Sequence, residues 1–149
     1  MKKLLLILGL CCSISPLFAQ EQRTGAHYLE DSHHNLIGYM TGPKLVDKDG
    51  KTLIEYKTSS GNMTVYDRNN KKVGYVINEG EVKDMNDKTI GYMVPNRIDY
   101  STIIQDAKHS IIGYILLNGT VQDNMRNTIG YNVQSEHMWA APYFFFFKS

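Results

Sequence analysis

The sequence predicts an all-β protein in which antiparallel β-hairpin repeats are arranged radially and closed on themselves. Three observations lead there. A short motif, apolar-Gly-Tyr, recurs five times, ending at Tyr39, Tyr75, Tyr92, Tyr114 and Tyr131. Eight residues before each tyrosine stands an aspartate (Asp31, Asp67, Asp84, Asp106 and Asp123), and two before each aspartate an aliphatic: Leu29, Val65, Val82, Ile104 and Val121. Within each copy apolar residues alternate with a period of two, as in Val73-Tyr75-Ile77, which is the pattern of a half-buried strand. Such fixed spacing marks a repeat architecture, in which no unit buries its apolar face alone.

The first segment, residues 1–19, stands outside that pattern. Lys2 and Lys3, an apolar run from Leu4 to Cys12 and a stretch ending at Ala19 follow the order of a secretory signal peptide, cleaved after Ala19. The apolar run is too short to cross a bilayer. Lipidation at Cys11 is the rival reading, and Leu10 stands where a lipoprotein signal wants a small residue. The expected location is therefore periplasmic or extracellular.

Cleavage removes both cysteines and with them any disulfide, thiol nucleophile or cysteine metal site. With Lys2 and Lys3 gone from the 16 basic residues, the 15 acidic ones are in excess by one. Nothing in that balance asks for nucleic acid or an anionic membrane as partner, since both need a basic face, and no nucleic-acid partner is expected. No later run is long enough for a transmembrane segment. The part from 20 to 149, about 130 residues, suits a single domain with an adequate core.

Each repeat unit reads as one hairpin. The regular units are 29–39, 65–75, 82–92, 104–114 and 121–131, and a degenerate unit spans 46–56. In that unit Val46, Ile54 and Tyr56 fall at the repeat offsets, while Lys48 replaces the aspartate and Glu55 the glycine. Each aspartate is expected to cap the turn it opens by accepting backbone N–H bonds. The Ile or Val and the tyrosine are expected to share the buried face, so Tyr56 joins the five regular tyrosines as core. The glycines (Gly38, Gly74, Gly91, Gly113 and Gly130) then lie on the other face, at a bulge or where another backbone comes close. Short connections such as "NEGE" and "LNGT" lead on to the next hairpin, giving an antiparallel meander. Residues 95–101 form an insertion. The tail, 137–147, carries Trp139, Tyr143 and four phenylalanines; it is expected to be a buried closing strand beside Ala26 to Glu30. No segment after the leader shows a helical period.

The aliphatic-x-Asp-x5-Ile-Gly-Tyr repeat, the leader ending in "FAQ" and the Trp-Ala-Ala then poly-Phe ending resemble the 5-fold β-flower proteins, small secreted β-hairpin-repeat proteins of Bacteroidetes. The resemblance covers roughly residues 25 to 147. It implies hairpins radiating as petals about a pseudo-symmetry axis, and no enzyme activity, cofactor or catalytic residues.

For chemistry, a ring of the five aspartates could hold a cation, but turn capping alone accounts for their spacing. "DKDG", Asp47 to Gly50, fails as a calcium loop because Thr58 stands where a glutamate is required. His33, His34 and His109 occupy equivalent turns and form the candidate metal set. None of the serines sits in a nucleophile elbow. Tyr66 and Tyr100, off the repeat register, are the candidate ligand contacts. The expected function is non-catalytic binding or structural support, with a polysaccharide or another cell-envelope protein as partner. The alternative is a carbohydrate-active hydrolase or a metal-binding protein, with its site at the 95–101 insertion, where Asp99 is the only acid, or at the turn histidines.

Overall fold

In the computed structural model, residues 27–77, 80–133 and 137–148 are described, without the side chains of His137 and Met138. The leader and its cleavage site, Ala26, and the His137 side chain lie outside the described residues. Among the described residues, twelve strands form one closed antiparallel barrel in which β1 pairs with β12 as well as with β2. They make six hairpins. Hairpin 1 joins β1 (Tyr28–Asp31) to β2 (Leu36–Thr41), and hairpin 2 joins β3 (Lys44–Val46) to β4 (Thr52–Ser59). Hairpin 3 is β5 (Asn62–Asp67) with β6 (Lys72–Ile77), and hairpin 4 is β7 (Glu81–Asp84) with β8 (Thr89–Pro95). Hairpins 5 and 6 are β9 (Thr102–Asp106) with β10 (Ile111–Ile115) and β11 (Thr120–Asp123) with β12 (Thr128–Val133). Closure leaves no strand edge unpaired.

The degenerate unit is thus a full sixth hairpin, and its register corrects the alignment of 46–56 by one residue. Leu45, not Val46, pairs with Ile54 as Val65 pairs with Gly74, so Ile54 stands at the glycine position and Glu55 at the tyrosine position. Asp47, not Lys48, is the repeat aspartate: its Oδ1 accepts from the backbone N–H groups of Asp49 and Lys51. Lys48 projects from the turn and pairs with Asp49.

All six turns share one geometry. At Asp67, Oδ1 accepts from Asn69 N and Lys71 N, while Asp67 N donates to Lys71 O. The residue three beyond the aspartate takes positive φ: His34, Gly50, Asn70, Asp87, His109 and Arg126. The repeat aspartates therefore satisfy backbone donors that the turn leaves without strand partners.

The inward and outward faces differ from the alternation read in the sequence. Every hairpin carries a bulge at the residue before the glycine: Leu29 pairs with Gly38 and Glu30 with Leu36, leaving Ile37 as the extra residue. The extra residue lets Ile37 and its equivalents pack on the core beside the glycine, while the tyrosine turns outward. Tyr39, Tyr75, Tyr92, Tyr114 and Tyr131 are consequently half-buried on the outer surface, not core residues. Tyr56, one place beyond the tyrosine position, is the exception. It points inward, is 1 % exposed, and donates its hydroxyl to Trp139 O at 2.7 Å.

The tail is helical, not a strand. A short helix α1 (His137–Ala141) continues into a π-helical turn (Pro142–Phe146) closed by Phe147 N donating to Pro142 O. Ala140 and Ala141 are fully buried in the same cluster as the inward aliphatics Leu29, Leu45, Val65, Val82, Ile104 and Val121. The four phenylalanines lie on the repeat glycines in reverse order. Phe144 meets Gly130, Phe145 meets Gly113, Phe146 meets Gly91 and Phe147 meets Gly74. Contact with four successive hairpins, plus Tyr56 of a fifth, puts the tail on the barrel axis. Ile54 fills the corresponding slot of hairpin 2 with its own side chain, being 2 % exposed.

Candidate functional site

The outward tyrosines form a belt. Four of the five reach the positive-φ residue of the next hairpin. Tyr92 stacks on His109 (centroids 4.4 Å apart) and Tyr131 on His34 (4.1 Å). The Arg126 guanidinium lies 3.5 Å from the Tyr114 ring centre, and the Tyr75 hydroxyl donates to the Asp87 carboxylate. That bond holds the Tyr75 hydroxyl above its usual pKa and the Asp87 carboxyl below its own. In three hairpins the residue before the repeat aspartate also bonds that positive-φ residue: Glu30 bonds His34 at 2.9 Å, Gln105 bonds His109 at 3.4 Å and Lys83 bonds Asp87 at 3.3 Å.

Hairpin 2 breaks the belt twice. Towards Tyr39 it offers Gly50 at the positive-φ position and Val46 beneath, so nothing there can stack. Towards hairpin 3 it presents Glu55 where the other hairpins present a tyrosine. Tyr66, opposite Glu55 on β5, occupies the supporting position instead, and Lys57 Nζ lies 4.4 Å from the centre of its ring. At this seam an acid stands at the tyrosine position and an aromatic at the supporting one.

That arrangement opens a recess of about 420 Å³ lined by Lys44, Thr52, Glu55, Lys57, Asp67, Arg68 and Asn70. The Glu55 side chain is 15 % exposed, with Lys44 Nζ 3.5 Å and Lys57 Nζ 3.6 Å from its two oxygens. These are ion-pair contacts longer than a charge-assisted hydrogen bond, about 2.7–2.9 Å. Both ammonium groups keep donor capacity for something else.

A second surface lies where hairpins 4 and 5 connect. In the 95–101 insertion Asn96 N donates to Ser101 O, and Asp99 accepts from Ser101 N at 3.0 Å and Ser101 Oγ at 2.6 Å. Those bonds hold the Asp99 carboxyl below its ordinary pKa. Tyr100 sits at φ 57 and is 70 % exposed, beside Ile98 at 91 %. A shallow recess of about 390 Å³ separates Asp99 and Ser101 from Leu116, Leu117 and Asn118.

The candidate residues from the sequence are distributed as follows. Neither Tyr66 nor Tyr100 lines a recess: Tyr66, on hairpin 3, lies under Lys57, and Tyr100 stands exposed in the connection between hairpins 4 and 5. His33, His34 and His109 are not brought together: hairpin 6 separates their turns, and among the described residues no group of three His, Cys, Asp or Glu could hold a metal. The aspartates remain with their own turns. Lys44, Thr52, Lys57, Arg68 and Asn70 escaped the sequence reading. Their signal is the acid at position 55, which the sequence reading placed at the glycine position and the register of hairpin 2 moves to the tyrosine position.

Among the described residues no helix is long and apolar enough to cross a membrane. A family model described as 5-fold beta-flower protein matches residues 60–148. The match begins in the turn before hairpin 3 and covers hairpins 3 to 6 with the poly-Phe tail. Searches among curated proteins and among solved structures give no match.

Proposed function

The chain belongs to the 5-fold beta-flower family, and on that premise we propose that it is an exported, non-catalytic binding protein whose partner is a polysaccharide or another protein of the cell envelope. The observation that carries this reading is the opened belt. Five hairpins present the same outward tyrosine, four of them closed against the next turn, while one exchanges it for a glutamate flanked by two lysines above a recess. A device that only supported the fold would have no use for the exchange. The lumen is filled by the tail, so a ligand meets the outer surface or the connecting loops.

Export is supported by the Lys2-Lys3 and Leu4 to Cys12 order of the leader, and the periplasm or the exterior is the location we propose. The non-catalytic reading draws support from the setting of Asp99. Glycoside cleavage needs two carboxyl groups flanking the bond, one of them protonated. Asp99 is kept ionised by Ser101, and the recess beside it is otherwise lined by a serine, two leucines and an asparagine. A glycan array and an envelope-protein pull-down with the purified protein test the reading. Retention of one polysaccharide or protein class is expected. Turnover of a retained glycan, lost in Asp99→Asn, would establish the hydrolase instead.

A further inference from the structure

We propose that the recess between hairpins 2 and 3 binds an acidic saccharide, a single sugar ring carrying a carboxylate; this rests on reading the protein as a binding module. The shape comes from the exchange at Glu55. At the equivalent contacts a tyrosine ring fills the space between one hairpin and the turn of the next. Here the shorter glutamate leaves a ring-sized slot facing Asn70, and its volume of about 420 Å³ falls within the usual span of small-molecule sites, about 300–1,000 Å³.

The lining selects the chemistry. Each lysine ammonium has three donors, and Glu55 stands too far away to saturate them. Between them they can hold a ligand carboxylate. Glu55, largely enclosed, is an acceptor for ring hydroxyls, and Thr52 and Asn70 add groups that both donate and accept. A neutral sugar leaves the ammonium donors unmatched. A compact phosphate brings more negative charge towards Glu55 than a single carboxylate does, and the backbone N–H groups of Asn69 and Lys71 that could cradle it are already taken by the Asp67 carboxylate. A carboxylate on one edge of a hydroxylated ring matches both halves of the lining.

The test is calorimetric titration of the purified protein with glucuronate, glucose and inorganic phosphate, for the wild type and for Glu55→Tyr, Lys57→Gln and Lys44→Gln. Glucuronate is expected to bind at least tenfold more tightly than the other two, and each lysine substitution to weaken it about tenfold. Glu55→Tyr, which restores the residue found at this place in five hairpins, is expected to abolish binding with the melting temperature retained. Should that variant misfold, the two lysine variants carry the test. Equal binding of phosphate or glucose, or no heat with glucuronate at millimolar concentration, overturns the proposal. A polysaccharide or envelope protein retained equally by wild type and Glu55→Tyr would also overturn it while leaving the binding reading intact, whereas retention of nothing by the wild type removes that reading itself.

Discussion

Phe147 lies against Gly74 so closely that a methyl group on that glycine would stand 2.6 Å from both Cε1 and Cζ of the ring. The carbonyl oxygen of Lys83 crowds the same point from the neighbouring strand. The ring can swing, but the strand cannot retreat without breaking its pairing with β7. Gly74→Ala is therefore expected to destabilise by about 1–3 kcal/mol, the range for overpacked cores. Urea unfolding checks this, and an unchanged midpoint would show that the tail yields instead.

The same contacts make the tail a structural member of the barrel. Removing Pro142 to Ser149 takes four rings off four hairpins and leaves bare glycines facing an empty axis. Loss of cooperative unfolding and strong binding of an apolar dye are expected. For a single ring the loss is smaller. Phe146 is only half-buried, so Phe146→Ala is expected to cost about 2 kcal/mol, below the 3–5 typical of enclosed phenylalanines. A truncated chain that melts like the intact one would refute the plug.

How far the sequence discloses this depends on the kind of regularity. Spacing is a one-dimensional property, and the hairpin repeat with its capped turns is readable from Asp31 and its equivalents. The facing of the strands is not, because one bulge residue, such as Ile90 between Thr89 and Gly91, reverses which neighbours share a side. Hence the tyrosines read as core stand outside. The register of hairpin 2 was hidden because Ile54 mimics the apolar residue that precedes a glycine, and Tyr56 then looks like the repeat tyrosine. A π-helical turn of aromatics carries no apolar stripe to detect, since its four consecutive rings point to four successive hairpins. The recess depends on contacts between hairpins, and no spacing within one hairpin reports them.

Arg126 offers a case where two small terms compete. It stacks on Tyr114, a contact worth about 0.5–1 kcal/mol at an exposed site. It also holds φ at 69°, where a side chain costs about 1 kcal/mol relative to glycine. Arg126→Gly is expected to be nearly neutral and Arg126→Ala to lose up to about 1 kcal/mol, the stacking alone. Thermal melts of the two variants separate the terms, and a larger loss in the glycine variant would reverse the assignment.

Tyr56 ties the tail to hairpin 2 through its hydroxyl. Tyr56→Phe leaves Trp139 O without that donor inside the core, at a cost of about 1–2 kcal/mol. Burial also pushes the Tyr56 hydroxyl far above its ordinary value of 10.0. The unfolded chain releases this proton near pH 10 and the folded one does not, so stability present below pH 10 declines as pH rises beyond it. Alkaline unfolding of the wild type should thus coincide with the last increment of tyrosinate absorbance, after the outer tyrosines have ionised, and the Tyr56→Phe variant should show a shallower alkaline decline. Ionisation of every tyrosine before unfolding would contradict the burial of Tyr56.

The acid limb runs the other way. Asp31 and Asp123 are held below the ordinary 3.8, first by the side-chain amides of Asn35 and Asn127, each 2.9 Å from an Oδ2, and also by backbone N–H groups on Oδ1. A depressed carboxylate stabilises the fold above the unfolded pKa and loses that contribution as pH falls through about 4 towards the folded value. Both groups are exposed, so the contribution is screened and the decline gentle. Asn127→Ala removes the largest cause at Asp123 and should return its titration towards 3.8, with Asp31 unchanged. Carboxyl carbon shifts followed by NMR between pH 6 and pH 2 read both sites separately. Parallel movement of Asp31 and Asp123 in that variant would mean that the two turns are coupled through the pairing of β1 with β12. Independent movement makes each aspartate the cap of its own turn alone.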